Sequence, residues 1–240
     1  MMTENKSAQI QKADVGIIGA MKPETETLTE SLSDKQTYTL GGIEFSYGRL
    51  FDKSVVVATC GVGKVFAAMC AQAMILGFAP DVIINTGVAG TLSDKIHIGG
   101  TVVATAVVQH DMDTSALGDP VGLISGINVV DIPCDERLVS SLHECVTSLG
   151  IPCLCGKVAS GDSFICRQEQ KSYISNTFGA VACEMEGAAI GQVCYVNKIP
   201  FCVLRSISDG GDEQAQMDYP AFVEMAAKKS TSVLCEFLQK

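Results

Sequence analysis

Along the 240-residue chain, short apolar runs recur, and each is stopped by glycine or an acidic residue before a stretch of helical character begins. Residues 15–20, 54–60, 82–85, 101–108 and 199–207 are runs of this kind. Strands buried on both faces lose the alternation of a half-exposed sheet and read in this way. Their exchange with helical segments leaves few architectures, and the expected one is a layered α/β sandwich around a mixed sheet. In open α/β sheets ligands gather where strands end and the chain turns into loops. The residues just past each run are therefore the candidates for function.

With 47% hydrophobic and 18% charged residues, the chain can close one sizeable core. A single domain over residues 13–240 is expected, behind a polar tail over residues 1–12. No apolar run approaches the ~20 residues of a membrane-spanning helix, and the polar start lacks the apolar core of a secretory signal. A cytoplasmic protein without a membrane partner is expected. The net charge of −10 argues against nucleic acid, whose binders cluster lysine and arginine against phosphates. The 11 cysteines lie largely in apolar segments, as small hydrophobes of a reducing compartment do. Cys153-Leu154-Cys155 is the one tight pair, and it lacks both C-x-x-C spacing and a nearby histidine. His110, beside Asp111 and Asp113, has no second histidine at ligand spacing and reads as a hydrogen-bonded structural residue. Neither metal nor cofactor is expected.

Met21-Lys22-Pro23-Glu24 follows the first run and opens a helix, with Pro23 suited to its first turn. Taken alone, Glu24, like Glu26 and Glu30, reads as a complement to the positive end of that helix. Gly41-Gly42 marks a turn before an alternating strand over 43–48. Gly61-Val62-Gly63-Lys64 meets neither the Walker spacing nor G-x-G-x-x-G, and reads as a strand-to-helix turn before an Ala- and Met-rich helix over 65–76. Thr86-Gly87-Val88-Ala89-Gly90 ends the next strand with amides open to a ligand, glycine permitting the close approach. Residues 115–131 form a long loop of functional or interfacial type. Asp135 opens a helix whose apolar face is Leu138, Leu142, Cys145 or Val146, and Leu149. Phe164-Ile165, past a strand edge at 157–160, reads equally as a cap on an apolar ligand or as core.

The densest signal lies in residues 183–211. Glu184 and Glu186 flank Met185 at the end of an apolar run, and a small-residue helix follows over 187–196. The strand over 199–207 then stops at Ser208-Asp209 and two glycines. Singly, Glu186 reads as a helix-terminus partner and Asp209 as a turn former. Pro220 is expected to start the last helix, with Phe222, Met225, Ala226, Lys229, Val233 and Phe237 on a mostly buried face.

Six segments stand in the order found in one family: G-I-I-G-A-M-x-x-E, N-T-G-V-A-G, V-Q-H-D-M-D, S-G-D-S-F-I, C-E-M-E-G-A-A-I and L-R-S-I-S-D. From Val15 to the last helix the chain resembles the 5'-methylthioadenosine/S-adenosylhomocysteine nucleosidases. That resemblance implies a three-layer α/β/α sandwich around a mixed, partly barrel-like sheet of nucleoside-phosphorylase type. It also implies a homodimer and a small adenine thionucleoside as substrate. It implies that Asp209 is the acid, that Glu24 activates water, and that Glu186 holds the ribose hydroxyls. Arg205 and Ser208 should support Glu24 and Asp209 respectively. Phe164, Ile165 and backbone near Asp209 should frame adenine, with Val88, Ala89 and Gly90 lining the site and Met185 beneath the ribose. Met21 and Tyr219 should enclose the 5'-thio group, and Leu117 should reach into a partner's pocket. Val88 replaces a serine, and Leu117 an aromatic, of some relatives.

Cleaving an N-glycosidic bond is slow because adenine leaves badly as an anion and the ribose must turn cationic. An acid aimed at purine N7 and carboxylates beside the sugar address the two difficulties. An unperturbed Asp titrates near 4, and raising it by about three units corresponds to about 4 kcal/mol. Burial and neighbouring carboxylates can supply that shift. A phosphorylase of the same fold is the nearest rival, but Glu24 would face its phosphate, and a like-charge contact at about 4 Å costs roughly 4 kcal/mol at an effective dielectric of 20. No Arg-rich phosphate cradle appears in the first loop. A catalytically silent nucleoside-binding protein should have lost one of the acids, and none is missing. 5'-Deoxyadenosine and aminodeoxyfutalosine are compatible alternative substrates.

Overall fold

The β-branched and small residues of the apolar runs form a single ten-stranded sheet in a computed structural model that describes residues 10–240. Residues 1–9, most of the expected tail, lie outside the described residues. Its last three residues are bonded to the body. Ile10 N–H donates to Gly77 O (2.8 Å), Tyr47 Oη donates to Lys12 O (3.1 Å), and Lys12 Nζ pairs with Asp81 at 2.8 Å.

In chain order the elements are β1 (Val15–Gly19), α1 (Lys22–Ser31), β2 (Ser33–Leu40), β3 (Ile43–Leu50), β4 (Lys53–Thr59), α2 (Lys64–Phe78), β5 (Val82–Thr91) and β6 (Thr101–Gln109). A 3-10 turn at Ser115–Leu117 precedes β7 (Ile132–Pro133), α3 (Glu136–Ser148), β8 (Cys153–Ser160), α4 (Gln168–Phe178), β9 (Ala180–Glu184), α5 (Gly187–Asn197), β10 (Phe201–Asp209) and α6 (Ala215–Leu238). Neighbouring strands run β10-β6-β8-β9-β5-β1-β4-β3-β2, and β10 also pairs with β5. That last pairing closes β10, β6, β8, β9 and β5 into a ring, while β1, β4, β3 and β2 extend from it as an open wing. Helices α1 and α3 pack on α6, and α2 packs on α5, which gives the expected helical layers around a mixed, partly barrel-like sheet.

Several boundaries differ from expectation for physical reasons. Residues 86–90 continue β5 as far as Thr91, because β10 and β9 supply ladder partners there. Strand β8 begins at Cys153 rather than at 157, paired with β6 from its first residue. Helix α6 begins at Ala215, so Pro220 lies within the helix and does not start it. Leu149 is the C-cap of α3 and 42% exposed, outside the apolar face. Strand β2 and helix α4 went unanticipated, since S-D-K-Q-T-Y-T-L is polar, touches the core only through Tyr38 and Leu40, and belongs to a sheet edge. Asp135 caps α3 as expected, accepting from Arg137 N and Leu138 N at 3.0 Å.

Candidate active site

The ring and the adjoining β1 bring the ends of β1, β5, β8, β9 and β10 to one place, and the acids there come from separate stretches of sequence. Pro23 is the second residue of α1 and Glu24 stands in the first turn, where its carboxyl folds back onto the strand exit. Ala20 N–H and Met21 N–H donate to Glu24 Oε2 (2.7 and 2.9 Å), and Val88 N–H donates to Oε1 (3.2 Å). Glu24 is 1% exposed, and burial raises its pKa against the pull of Arg205 and these three amides. Gly87 is required here: a Cβ would stand 2.1 Å from Arg205 Nη1 and 2.6 Å from Glu24 Oε1.

Asp209 ends β10 at an irregularity in the pairing with β5, where the register shifts between Ile207 and Asp209. An inserted residue at such a point re-aims the side chains that follow it. Ser208 Oγ donates to Asp209 Oδ2 and Gly211 N–H to Oδ1, both at 2.9 Å. Burial raises the Asp209 pKa more than these donors lower it, and Asp218 and Asp212 push it the same way. With no cationic partner among the described residues, the balance shifts towards the neutral carboxyl.

Glu184 and Glu186 are two residues apart and differently held. Glu184 ends β9 and accepts from Glu186 N–H (3.0 Å), Gly187 N–H (2.7 Å) and Ser160 Oγ, and it pairs with Arg205 Nη2. Glu186 stands at the start of α5, where Gly63 N–H donates to its Oε1 (2.8 Å) and Arg205 Nη2 lies 3.5 Å from its Oε2. Burial and then Glu184 push the Glu186 pKa up to about 7, against the pull of Arg205. Arg205 is 1% exposed and also donates to Asn85 Oδ1 (2.5 Å) and Thr86 O (3.4 Å). Burial opposes its charge, and Glu184, Glu186 and Glu24 together outweigh that opposition. One guanidinium thus faces three carboxylates.

Glu24, Glu184, Glu186 and Asp209 all line a single cavity of about 450 Å³. Of the expected residues, Met21, Val88, Ala89, Gly90, Phe164, Met185, Ser208 and Tyr219 line it as well. Tyr219 Oη lies 3.1 Å from Met21 Sδ, and its ring meets Phe164 edge-on at 5.6 Å. Three expected residues stand elsewhere. Ile165 is 6% exposed, packs with Ile174 and Phe178, and borders only a small recess beside the cavity. Leu117, 83% exposed, is absent from the cavity of its own chain. Arg205 sits behind the cavity wall, and its ion pairs among the described residues are with Glu184 and Glu186, not with Glu24. Glu184 itself was assigned no role from sequence, and neither was Val62, which lines the cavity at 50% exposure. An acid ending an apolar run, three residues before a helix, was the available signal for Glu184.

Among the described residues His110 Nε2 is buried with no hydrogen-bond partner, and burial lowers the pKa of the ring against a backbone hydrogen bond. Its neighbours form a brace: Lys64 Nζ pairs with Asp111 (2.6 Å), Lys64 N–H donates to Asp162 Oδ1 (2.8 Å), and Asp162 N–H donates to Asp111 Oδ2 (2.9 Å). This brace fixes the turn whose Gly63 N–H holds Glu186.

A ring of strands whose ends carry buried acids around a nucleoside-sized cavity is the arrangement of the phosphorylase superfamily, whose family model matches residues 14–239. The chain belongs to that superfamily. Within it, the chain is 40% identical over 227 residues to the 5'-methylthioadenosine/S-adenosylhomocysteine nucleosidase of Shewanella loihica, covering 94% of this chain and 98% of the relative. The crystal structure of the Neisseria meningitidis nucleosidase of that name, in complex with methylthio-immucillin-A, has a TM-score of 0.90 and 32% identity, covering 96% of this chain and 99% of the other. Futalosine hydrolase of Helicobacter pylori also matches, with a TM-score of 0.90 and 37% identity over 95% of this chain and 97% of the other.

Proposed function

We propose that this protein hydrolyses the N-glycosidic bond of 5'-methylthioadenosine and S-adenosylhomocysteine, releasing adenine and the free thioribose. The observation that carries the proposal is the convergence of Glu24, Glu186 and Asp209 on one cavity. Asp209, whose neutral form burial favours, delivers its proton to purine N7 as the glycosidic bond breaks, so adenine leaves as a neutral base. The remaining ribosyl cation is stabilised by the carboxylates on the opposite wall. Glu24, backed by three amides, orients the attacking water and accepts its proton, and Glu186 binds the ribose hydroxyls. Ser208 aligns the Asp209 carboxyl, and Met21, Phe164 and Tyr219 form the apolar surround of base and 5'-thio group.

Among the described residues no lysine or arginine lines the cavity, so a phosphate nucleophile would meet carboxyl groups with no cation exposed beside them. Incubation with methylthioadenosine, with and without phosphate, tests the reading. Adenine and free methylthioribose in both reactions are expected; a sugar 1-phosphate would reject it. The likeness to futalosine hydrolase adds futalosine to the substrate panel.

A homodimer fits the surface. Val65 (70% exposed), Phe66, Met69 and Leu76 on α2 lie with Tyr195 and Val196 on α5, forming an apolar face beside Val62 at the cavity rim. In such a dimer the resemblance has the partner's Leu117, exposed in its own chain, reach the cavity. Sedimentation of a monomer at micromolar concentration would remove this part of the reading.

A further inference from the structure

The sequence offers Cys153 and Cys155 no nearby histidine, but the fold does. A spacing of two places both cysteines on one face of β8. Helix α3 packs across that end of β8 and carries His143 on its exposed side. The two Sγ atoms and an imidazole nitrogen all lie within 4.8 Å of one another. Among the described residues, this is the one group of three His, Cys, Asp or Glu side chains that converges so closely.

We propose that His143, Cys153 and Cys155 form a binding site for a thiophilic transition-metal cation such as Zn²⁺, at the end of the sheet opposite the acid-lined cavity. Bond lengths of about 2.3 Å to sulfur and 2.0 Å to nitrogen in a tetrahedron require ligand atoms roughly 3.4–3.8 Å apart. The trio therefore needs to close by only about 1 Å, which the exposed imidazole can supply by rotation. Two sulfurs and one imidazole select zinc, cadmium or cuprous ions and disfavour magnesium and calcium, which seek oxygen. His143 and Cys155 are exposed and Cys153 is half-buried, so an ion can enter, and a water can take the fourth position. Binding breaks two S–H bonds, forms two metal–sulfur bonds and releases two protons to solvent, with no change of oxidation state. Uptake must therefore strengthen as pH rises.

Cys153 begins β8 and Ser160, which contacts Glu184, ends it, so the two sites stand roughly 20 Å apart. That distance supplies a clean test. The full-length, reduced, metal-free protein is titrated with Cd²⁺ while thiolate-to-metal charge-transfer absorption is followed, and Zn²⁺ is added in parallel thermal melts. About one ion per chain is expected, with the band lost in Cys153→Ser and Cys155→Ser. His143→Ala should bind at least about tenfold more weakly. Zn²⁺ should raise the melting temperature of the unmodified protein and leave that of Cys155→Ser unchanged, and all variants should release adenine at the unmodified rate. An undiminished band in Cys155→Ser would assign the signal to other thiols and overturn the proposal, as would the absence of any band at stoichiometric cadmium.

Discussion

The proposed function gives the cavity a sugar wall and a base wall, and the acids assigned to them differ in what holds them. On the sugar wall, Glu24, Glu184 and Glu186 share the field of one guanidinium and accept backbone amides, which oppose the burial that raises the pKa of Glu24 and Glu186. On the base wall, Asp209 has a serine hydroxyl and one amide but no cation, and burial favours its neutral form. On the proposed function, a nucleoside between them meets a proton source at its base and a cluster of carboxyl groups at its ribose. Carboxyl groups of one chemical type thus take different roles because their surroundings differ.

Asp209→Asn breaks the base wall and should give the largest effect, a fall in kcat of about 10²–10⁴-fold, with the fold retained by circular dichroism. Near-normal turnover would remove Asp209 from the mechanism. Glu184→Gln breaks the sugar wall by a different route, because Arg205 loses its nearest charge in a buried setting. A loss of roughly 3–5 kcal/mol in denaturant unfolding is expected, so this variant should differ from Asp209→Asn mainly in stability.

The pH dependence of stability sharpens the comparison. Glu186 rises from 4.5 in the unfolded chain to about 7 in the folded one. A raised pKa means that its stabilising contribution is complete below 4.5 and is lost as pH climbs through about 7. Melting temperatures should fall across that window, and Glu186→Gln should flatten the slope; an unchanged slope would place the titration elsewhere. The smallest effect should follow Lys64→Ala. Removing the half-exposed ion pair with Asp111 should loosen the Gly63 turn by no more than about 1 kcal/mol, read as a few-fold higher KM with kcat preserved.

The sequence showed the acids more clearly than it showed how they are wired. Glu24, Glu186 and Asp209 were legible because each follows an apolar run, and the six-segment resemblance joined them. Arg205 was legible as a residue but not as the partner of Glu184, because that contact depends on β9 and β10 meeting through β5. Ring closure has no local signature: the β10–β5 pairing joins residues more than 100 positions apart. Strand β2 was hidden by its polar edge, and the start of α6 by a proline that the helix accommodates. The approach of His143 to Cys153 and Cys155 was equally invisible, since it arises where a helix crosses a strand.

The most direct test of the two-wall mechanism is turnover of methylthioadenosine in heavy-oxygen water containing phosphate, with the sugar product analysed by mass. Hydrolysis predicts free methylthioribose carrying the heavy oxygen at C1, beside unlabelled adenine. Sugar 1-phosphate, or methylthioribose without the label, would contradict water attack on a ribosyl cation held between these walls.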